Sequence, residues 1–352
     1  MTSRQERALE VARLAGADAV LAAHPSTVTW LTGHAADIET GPSPFALAAL
    51  ALVAASSPPT LIVSEDEAGA APAGCEVISY PGYGLGPLDP VGAAAAALER
   101  AVGGRKVATE PAALPAALAS VVSWLDVSAD LARARAVKDE DEIELLRGAI
   151  ALCDVGQRAA RAGAEPGMSE LELWALVRAA IEAEAGGRTP LLADLVSGPR
   201  TGEIGGPPGE RTLVDGDLVL CDLVPRRDGY WGDSCATIPV GRPSGTARER
   251  HGAVREALAR AVDGVRPGMR AGDIDALARD GLDYPHHTGH GLGTAWHEEP
   301  RIVPGGTTVL EPGMVVALEP GSYGDGQGIR VEQVVLVTSD GCEILSGHEL
   351  EL

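Results

Sequence analysis

An internal repeat in the C-terminal two-thirds of the chain constrains its fold more than any local pattern does. Pro166-Gly167-Met168 recurs as Pro267-Gly268-Met269, 101 residues later. Each copy follows an Ala/Arg-rich helical stretch and precedes another. Asp215-Gly216-Asp217-Leu218-Val219-Leu220-Cys221-Asp222 is echoed by Glu311-Pro312-Gly313-Met314-Val315-Val316-Ala317-Leu318-Glu319. Gly216 and Gly313 are 97 residues apart, as are Asp222 and Glu319, and Asp233 and Glu332 are separated by 99. A period this long marks a duplicated unit larger than a hairpin. The region reads as two αβ halves. Each half carries one carboxylate at or near the end of an apolar strand and a second 11 or 13 residues on.

In the first half, Pro225-Arg226-Arg227-Asp228-Gly229 is a turn. Tyr230 to Val240 reads as the returning strand, with Trp231, Asp233, Cys235 and Thr237 on one face. A hairpin of this kind brings Asp222 and Asp233 together. In the second half, Gly321 to Gly328 is a Gly-rich turn, and Arg330, Glu332, Val334 and Leu336 share a face of the strand that follows. A carboxylate in an apolar strand is costly unless it is paired or metal-bound. Four of them in two related hairpins repel one another, and two divalent cations remove the conflict.

Between the two pairs runs Pro285-His286-His287-Thr288-Gly289-His290-Gly291-Leu292-Gly293-Thr294-Ala295-Trp296-His297-Glu298-Glu299-Pro300. It holds half of the chain's eight His. His is both a common metal ligand and the usual proton carrier near neutral pH. The glycines beside His290 suit close approach of the backbone to a ligand. Singly, each feature has a bland explanation: a hydrogen-bonded core Asp, a surface His pair, an ordinary turn. Four carboxylates in duplicated positions plus a His cluster do not.

The chain has 352 residues, enough for about two domains. Residues 1–133 alternate apolar strand-like runs (Ala19-Val20-Leu21, Leu50 to Ala54, Leu61-Ile62-Val63) with Ala-rich helical runs such as Ala93 to Leu98, the pattern of an α/β domain. Residues 134–352 form the second domain. It opens on the acidic helix start Lys138-Asp139-Glu140-Asp141-Glu142, and Ser169-Glu170-Leu171-Glu172 is a capping box for the next helix. Acidic residues number 50 against 28 basic, a net charge of −22, which disfavours nucleic-acid and anionic-membrane partners. Ala46 to Val63 is the best membrane candidate, but Ser56-Ser57-Pro58-Pro59 interrupts it. It falls short of the roughly 20 apolar residues a span needs. Five Cys without CxxC spacing suit reduced thiols. The first residues lack the apolar core of a signal peptide, and the expected location is the cytoplasm. GxxxxGK[ST], HExxH and GxSxG are absent.

These residues resemble the "pita-bread" metallohydrolases: aminopeptidase P, prolidase, methionine aminopeptidase and creatinase. Thr29-Trp30-Leu31-Thr32-Gly33 resembles the creatinase-type N-terminal domain, which methionine aminopeptidases lack, and Arg135 through Glu142 resembles the entry helix. The resemblance implies an α/β (α+β) chain: a creatinase-type N-terminal domain followed by a pseudo-twofold pita-bread catalytic domain. It carries five metal ligands onto Asp222, Asp233, His290, Glu319 and Glu332. It carries catalytic roles and contacts to substrate or intermediate onto His286 and His297, and onto Arg330 a place in substrate binding with a positioning role beside the last metal ligand. Three departures stand out. The loop Glu203 to Pro208 has no His where aminopeptidase P and prolidase usually carry one; Cys235-Ala236-Thr237 replaces Thr-Arg-Thr; and His286-His287 is a doublet, with His286 matched by spacing.

The activity implied is hydrolysis of a C–N amide bond with two divalent ions, Mn²⁺, Co²⁺ or Zn²⁺. Glu319 accepts the proton of the attacking water and passes it to the leaving nitrogen, while His297 helps stabilise the developing oxyanion. The expected substrate is a small Xaa-Pro peptide, cut by a dipeptidase or aminopeptidase. The alternatives are a small-metabolite amide, as in an ectoine-hydrolase- or creatinase-like enzyme, and a non-catalytic binding relative. The resemblance also implies a homodimer.

Overall fold

The computed structural model describes residues 1–36 and 43–352. The chain separates into two compact units, Met1–Arg135 and Ala136–Leu352.

The first unit is built on a six-stranded mixed sheet. Its strands are β1 (Ala19–Ala22), β2 (Leu50–Ala54), β3 (Thr60–Ser64), β4 (Glu76–Tyr80), β5 (Lys106–Thr109) and β6 (Ser123–Asp126), in the order β4-β3-β2-β1-β5-β6. β1 is buried along its whole length because helices cover both faces of the sheet. Val20, Ala51, Leu61 and Ala108 pack with Ala8, Ala12 and Trp30 on one side; Leu21, Leu50 and Ile62 pack with Ala97 and Leu98 on the other. The helix Ser3–Ala15 starts on a Thr2–Gln5 capping box and ends on Gly16 at φ 79°. The apolar run Ala46 to Val63 resolves into the antiparallel pair β2–β3. No helix among the described residues is long and apolar enough to cross a membrane.

The second unit carries the duplication. Helices Glu140–Gly163 and Glu170–Ala185 belong to its first half, Gly245–Gly264 and Ala271–Arg279 to its second. The strands are β7 (Leu191–Ser197), β8 (Leu218–Arg227), β9 (Tyr230–Trp231), β10 (Ser234–Pro239), β11 (Gly289–Gly291), β12 (Glu298–Ile302), β13 (Val315–Leu318), β14 (Gly321–Gly324), β15 (Gln327–Arg330), β16 (Gln333–Val337) and β17 (Cys342–Ile344). They form sheets β10-β8-β7, with β9 on β8, and β12-β11-β13-β16-β17, plus the hairpin β14–β15.

The repeat extends to single hydrogen bonds. Gly167 N donates to Leu213 O at 2.9 Å and Leu213 N returns to Met168 O at 2.8 Å; Gly268, Leu310 and Met269 repeat the pair at 2.9 and 2.8 Å. Gly216 and Gly313 both stand at φ 89°, a left-handed conformation that glycine adopts without strain. Their N–H groups donate to Val240 O and Val337 O at 2.8 and 2.9 Å.

The returning strands differ from the sequence expectation in one respect, and they differ identically in both halves. Tyr230 to Val240 is not continuous: β9 ends at Trp231 and β10 begins at Ser234, so Asp233 lies in a break. Across from Asp222 stands Cys235. Glu332 likewise lies in a break, between β15 and β16, and the expected turn Gly321 to Gly328 is the hairpin β14–β15. The two halves meet at these breaks. Glu332 N donates to Cys235 O at 2.9 Å, and Thr237 Oγ1 and Arg330 exchange hydrogen bonds at 2.9 and 3.1 Å. A break frees a carboxylate from strict alternation and lets it turn toward the seam between the halves.

Candidate metal centre

Asp222 projects from the middle of β8, Asp233 and Glu332 from the two breaks, and Glu319 from the residue after β13. One carboxylate oxygen each from Asp222, Asp233 and Glu332 lies within 4.8 Å of the others. Asp233 and Glu332 are 4% and 1% exposed. Glu332 Oε1 is a buried oxygen without a hydrogen-bond partner among the described residues. Burial, then repulsion from the neighbouring carboxylates, pushes the pKa of Asp233 and Glu332 well above the usual range. Burial raises Asp222 to about 6 against the pull of Arg330. Burial alone would raise Glu319 too, but the hydrogen bond from His287, the nearby ring of His290 and the charge of Arg330 outweigh it and bring Glu319 to about 2.

His290 sits on β11, buried between β12 and β13. Its Nδ1–H donates to Gly291 O at 2.9 Å, which leaves Nε2 as the bare nitrogen of a ring that burial keeps neutral. That Nε2 points at Asp233 Oδ2 and Glu319 Oε1, each 3.5 Å away. A lone pair facing two carboxylate oxygens is repulsive unless a cation lies between them. The donor set, four carboxylates and one imidazole with its tautomer set by a carbonyl, therefore fits divalent cations.

The glycines beside His290 are required by strand packing. A Cβ on Gly289 would lie 2.0 Å from Ala317 O, and one on Gly291 2.1 Å from Glu299 O. They admit the backbones of β13 and β12 on either side of the His strand; the close approach is between strands.

The His doublet divides its contacts. Nε2 of His287 donates to Glu319 Oε1 at 2.9 Å. His286, the residue matched by spacing, spends Nδ1 on His287 O at 2.8 Å and meets the Tyr323 hydroxyl through Nε2 at 3.0 Å. The His297 ring lies 3.7 Å from that of His290 and 5.1 Å from that of His287. His297 keeps solvent contact at the mouth. Enough of its ring is enclosed that desolvation, then the neighbouring His290 and His287, drive its pKa to about 3. Its loop is anchored below. Glu298 accepts from Ala295 N at 3.0 Å and from Lys138 Nζ at 3.0 Å in a buried pair.

Arg330 ties the carboxylates together. Nη2 donates to Asp222 at 2.5 Å, Nη1 to Ile204 O at 2.8 Å and to Tyr323 Oη at 3.2 Å, and Nε lies 3.7 Å from Glu319 Oε2. Tyr323 and Asp194 join the site without having been singled out in the sequence, and His287, noted there only as the second member of the doublet, joins it too. His287 stood inside the cluster but lacked the expected spacing, and Tyr323 was hidden in what read as a turn. Asp194 is an isolated acid on β7. Asp222, Asp233, His290 and Glu319 line one pocket of about 430 Å³ together with His286, His287, His297 and Arg330. Small-molecule sites span roughly 300–1,000 Å³.

A duplicated αβ unit with carboxylates and a neutral His converging on its seam defines a pita-bread metallohydrolase. Residues 144–339 match metallopeptidase family M24, and the chain belongs to that family, the metal-dependent peptidases. The probable dipeptidase PepE of Mycobacterium tuberculosis is 36% identical over 281 residues, covering 74% of this chain and 73% of that protein. Among solved structures, the prolidase from Pyrococcus horikoshii OT3 superposes with a TM-score of 0.84 at 27% identity over 100% of both chains. The dipeptidase PepE from Mycobacterium ulcerans does so with 0.81 at 30% identity, over 99% of this chain and 96% of that one. An Xaa-Pro dipeptidase from Bacillus anthracis gives 0.84 at 26%, over 99% and 98%.

Proposed function

We propose that this protein is a dinuclear-metal dipeptidase or aminopeptidase that hydrolyses the amide bond of small peptides, with Xaa-Pro peptides as the first candidates. The observation that carries the reading is the bare Nε2 of His290 aimed between Asp233 and Glu319, 3.5 Å from each. The names of the relatives support the substrate class, and the pocket volume suits a short peptide.

Asp222, Asp233, His290, Glu319 and Glu332 would hold two divalent cations, Mn²⁺, Co²⁺ or Zn²⁺. When bound, these supply positive charge for the polarised carbonyl and the attacking water. Glu319 accepts the proton of that water through its carboxylate and delivers it to the leaving nitrogen. His287, donating to Oε1, holds this carboxylate in one orientation. His297 is neutral near pH 7 and offers a ring N–H to the developing oxyanion at the pocket mouth. His286, packed 5.0 Å from the ring of Tyr284 and 5.4 Å from that of Tyr323, shapes the wall against which the substrate lies. Arg330 positions Asp222 and Glu319. On the resemblance, the protein is also a cytoplasmic homodimer; a monomer mass by light scattering counts against that part.

The test is hydrolysis by the Mn²⁺-loaded chain of Xaa-Pro dipeptides, Xaa-Pro-Xaa tripeptides, Xaa-Ala controls, creatine and ectoine. Cleavage before proline supports the reading. Turnover of the small metabolites alone, with metal bound, replaces the peptidase reading with the amidohydrolase one.

A further inference from the structure

Asp194 is the carboxylate of the pocket that the proposed chemistry leaves unused. It lies on β7 directly across from Asp222 on β8, so the two acids face the same side of the sheet. Like charges directly opposite in an antiparallel pair are unfavourable. Arg330 relieves the pair only on one side: Nη2 is 2.5 Å from Asp222 but 3.8 Å from Asp194, beyond hydrogen-bond range, and Nη1 is engaged by Ile204 O and Tyr323. The Asp194 side chain keeps 40% exposure at the pocket wall.

The neighbouring loop is built around this carboxylate. A Cβ on Gly205 would lie 1.9 Å from Asp194 Oδ2 and 2.7 Å from its Cγ. Any side chain at 205 displaces the acid, and 205 lies in the Glu203 to Pro208 loop, which holds no His. The rest of the wall near it is apolar: Leu192, Ala193, Ile204 and Val224, with Trp296 46% exposed in the same pocket. An aliphatic wall, an open indole and a carboxylate suit an alkyl chain that ends in a cation.

We propose that Asp194 receives the basic side chain of the substrate, making the enzyme selective for dipeptides that contain lysine or arginine. The proposal rests on the dipeptidase reading above. Its chemistry is an ammonium or guanidinium against a half-open carboxylate, and the substrate's α-amino group is the other possible source of that cation.

The experiment compares kcat/KM of the Mn²⁺-loaded chain for lysyl-alanine and norleucyl-alanine, and for alanyl-lysine and alanyl-norleucine. Norleucine keeps the four-carbon stem and lacks the charge. The expected result is a preference on the order of fivefold for the lysyl member of one pair. That ratio falls to about one in Asp194→Asn and also in Gly205→Ala, which displaces the acid without removing it, while bound metal measured by elemental analysis is retained. Equal loss on both members of each pair assigns the acid to the α-amino group or to support of the metal site and overturns the proposal. So does a wild-type ratio near one, with the dipeptidase reading intact. Failure of all four peptides while Xaa-Pro dipeptides are cleaved overturns this proposal alone; failure of the Xaa-Pro dipeptides as well removes the dipeptidase reading and this proposal with it.

Discussion

His287 Nε2 donates to Glu319 Oε1 at 2.9 Å, and this bond decides which member of the His doublet serves the proposed proton carrier. His287→Ala is expected to lower kcat by roughly 10- to 100-fold, the loss typical when a group that orients a metal-binding carboxylate is removed. His286→Ala, which loses packing against Tyr284 and Tyr323, should move KM more than kcat. Steady-state kinetics on a cleaved peptide check the split; a larger kcat loss in the His286 variant reverses the assignment.

Glu332 is 1% exposed, with Oε1 unsatisfied beside Asp233. Glu332→Gln removes one of the mutually repelling carboxylates. The metal-free variant should melt higher than metal-free wild type by about 2–4 °C, the shift that 1 kcal/mol produces in a domain of this size. The same variant should lose bound metal on loading. Calorimetry and elemental analysis together read both arms, and a lower melting point without metal contradicts the crowding argument.

Lys138 and Glu298 form a pair whose side chains are 1% and 2% exposed. Lys138→Met strands a buried carboxylate beneath the Trp296–His297 loop, at a cost of about 3–5 kcal/mol. Adding Glu298→Gln should recover a substantial part of it. Denaturant titrations of both single variants and the double variant close the cycle, and additive losses would show that the pair is uncoupled.

His251 is 4% exposed in the helix Gly245–Gly264. Desolvation, then Arg255 on its own helix and Arg161 on Glu140–Gly163, lowers its pKa, against Glu351 and a backbone bond to Leu350. Its folded pKa lies below the unfolded value of about 6.5. The unfolded chain therefore takes up the proton first, and stability is lost as pH falls through 6.5. The melting-point advantage of wild type over His251→Gln should shrink between pH 7.5 and 5.5, whatever slope the raised carboxylates of the metal centre give to both proteins. Parallel slopes would remove His251 from the account.

Much of the second unit is legible in one dimension because its order is a repeat. The spacing of Asp222 to Glu319 and of Asp233 to Glu332 already pairs the donors, and the glycine turns at 216 and 313 follow with the same φ. The strand breaks that turn Asp233 and Glu332 toward the seam are not legible. Alternation of side chains in the sequence continues through them, and only the meeting of Glu332 N with Cys235 O shows where each strand stops.

The sequence by itself determined the donor types, their duplicated order and the His cluster, since a repeat and a residue's chemistry are properties of the linear chain. Tertiary structure decided the rest: that His287 and not His286 reaches Glu319, that the glycines beside His290 make way for neighbouring strands, and that Asp194 joins the pocket wall. Each of these depends on cross-strand register between separate segments, from 8 residues apart for Gly291 and Glu299 to 32 for His287 and Glu319. Register is set by how two apolar faces pack, which no local pattern in either strand records.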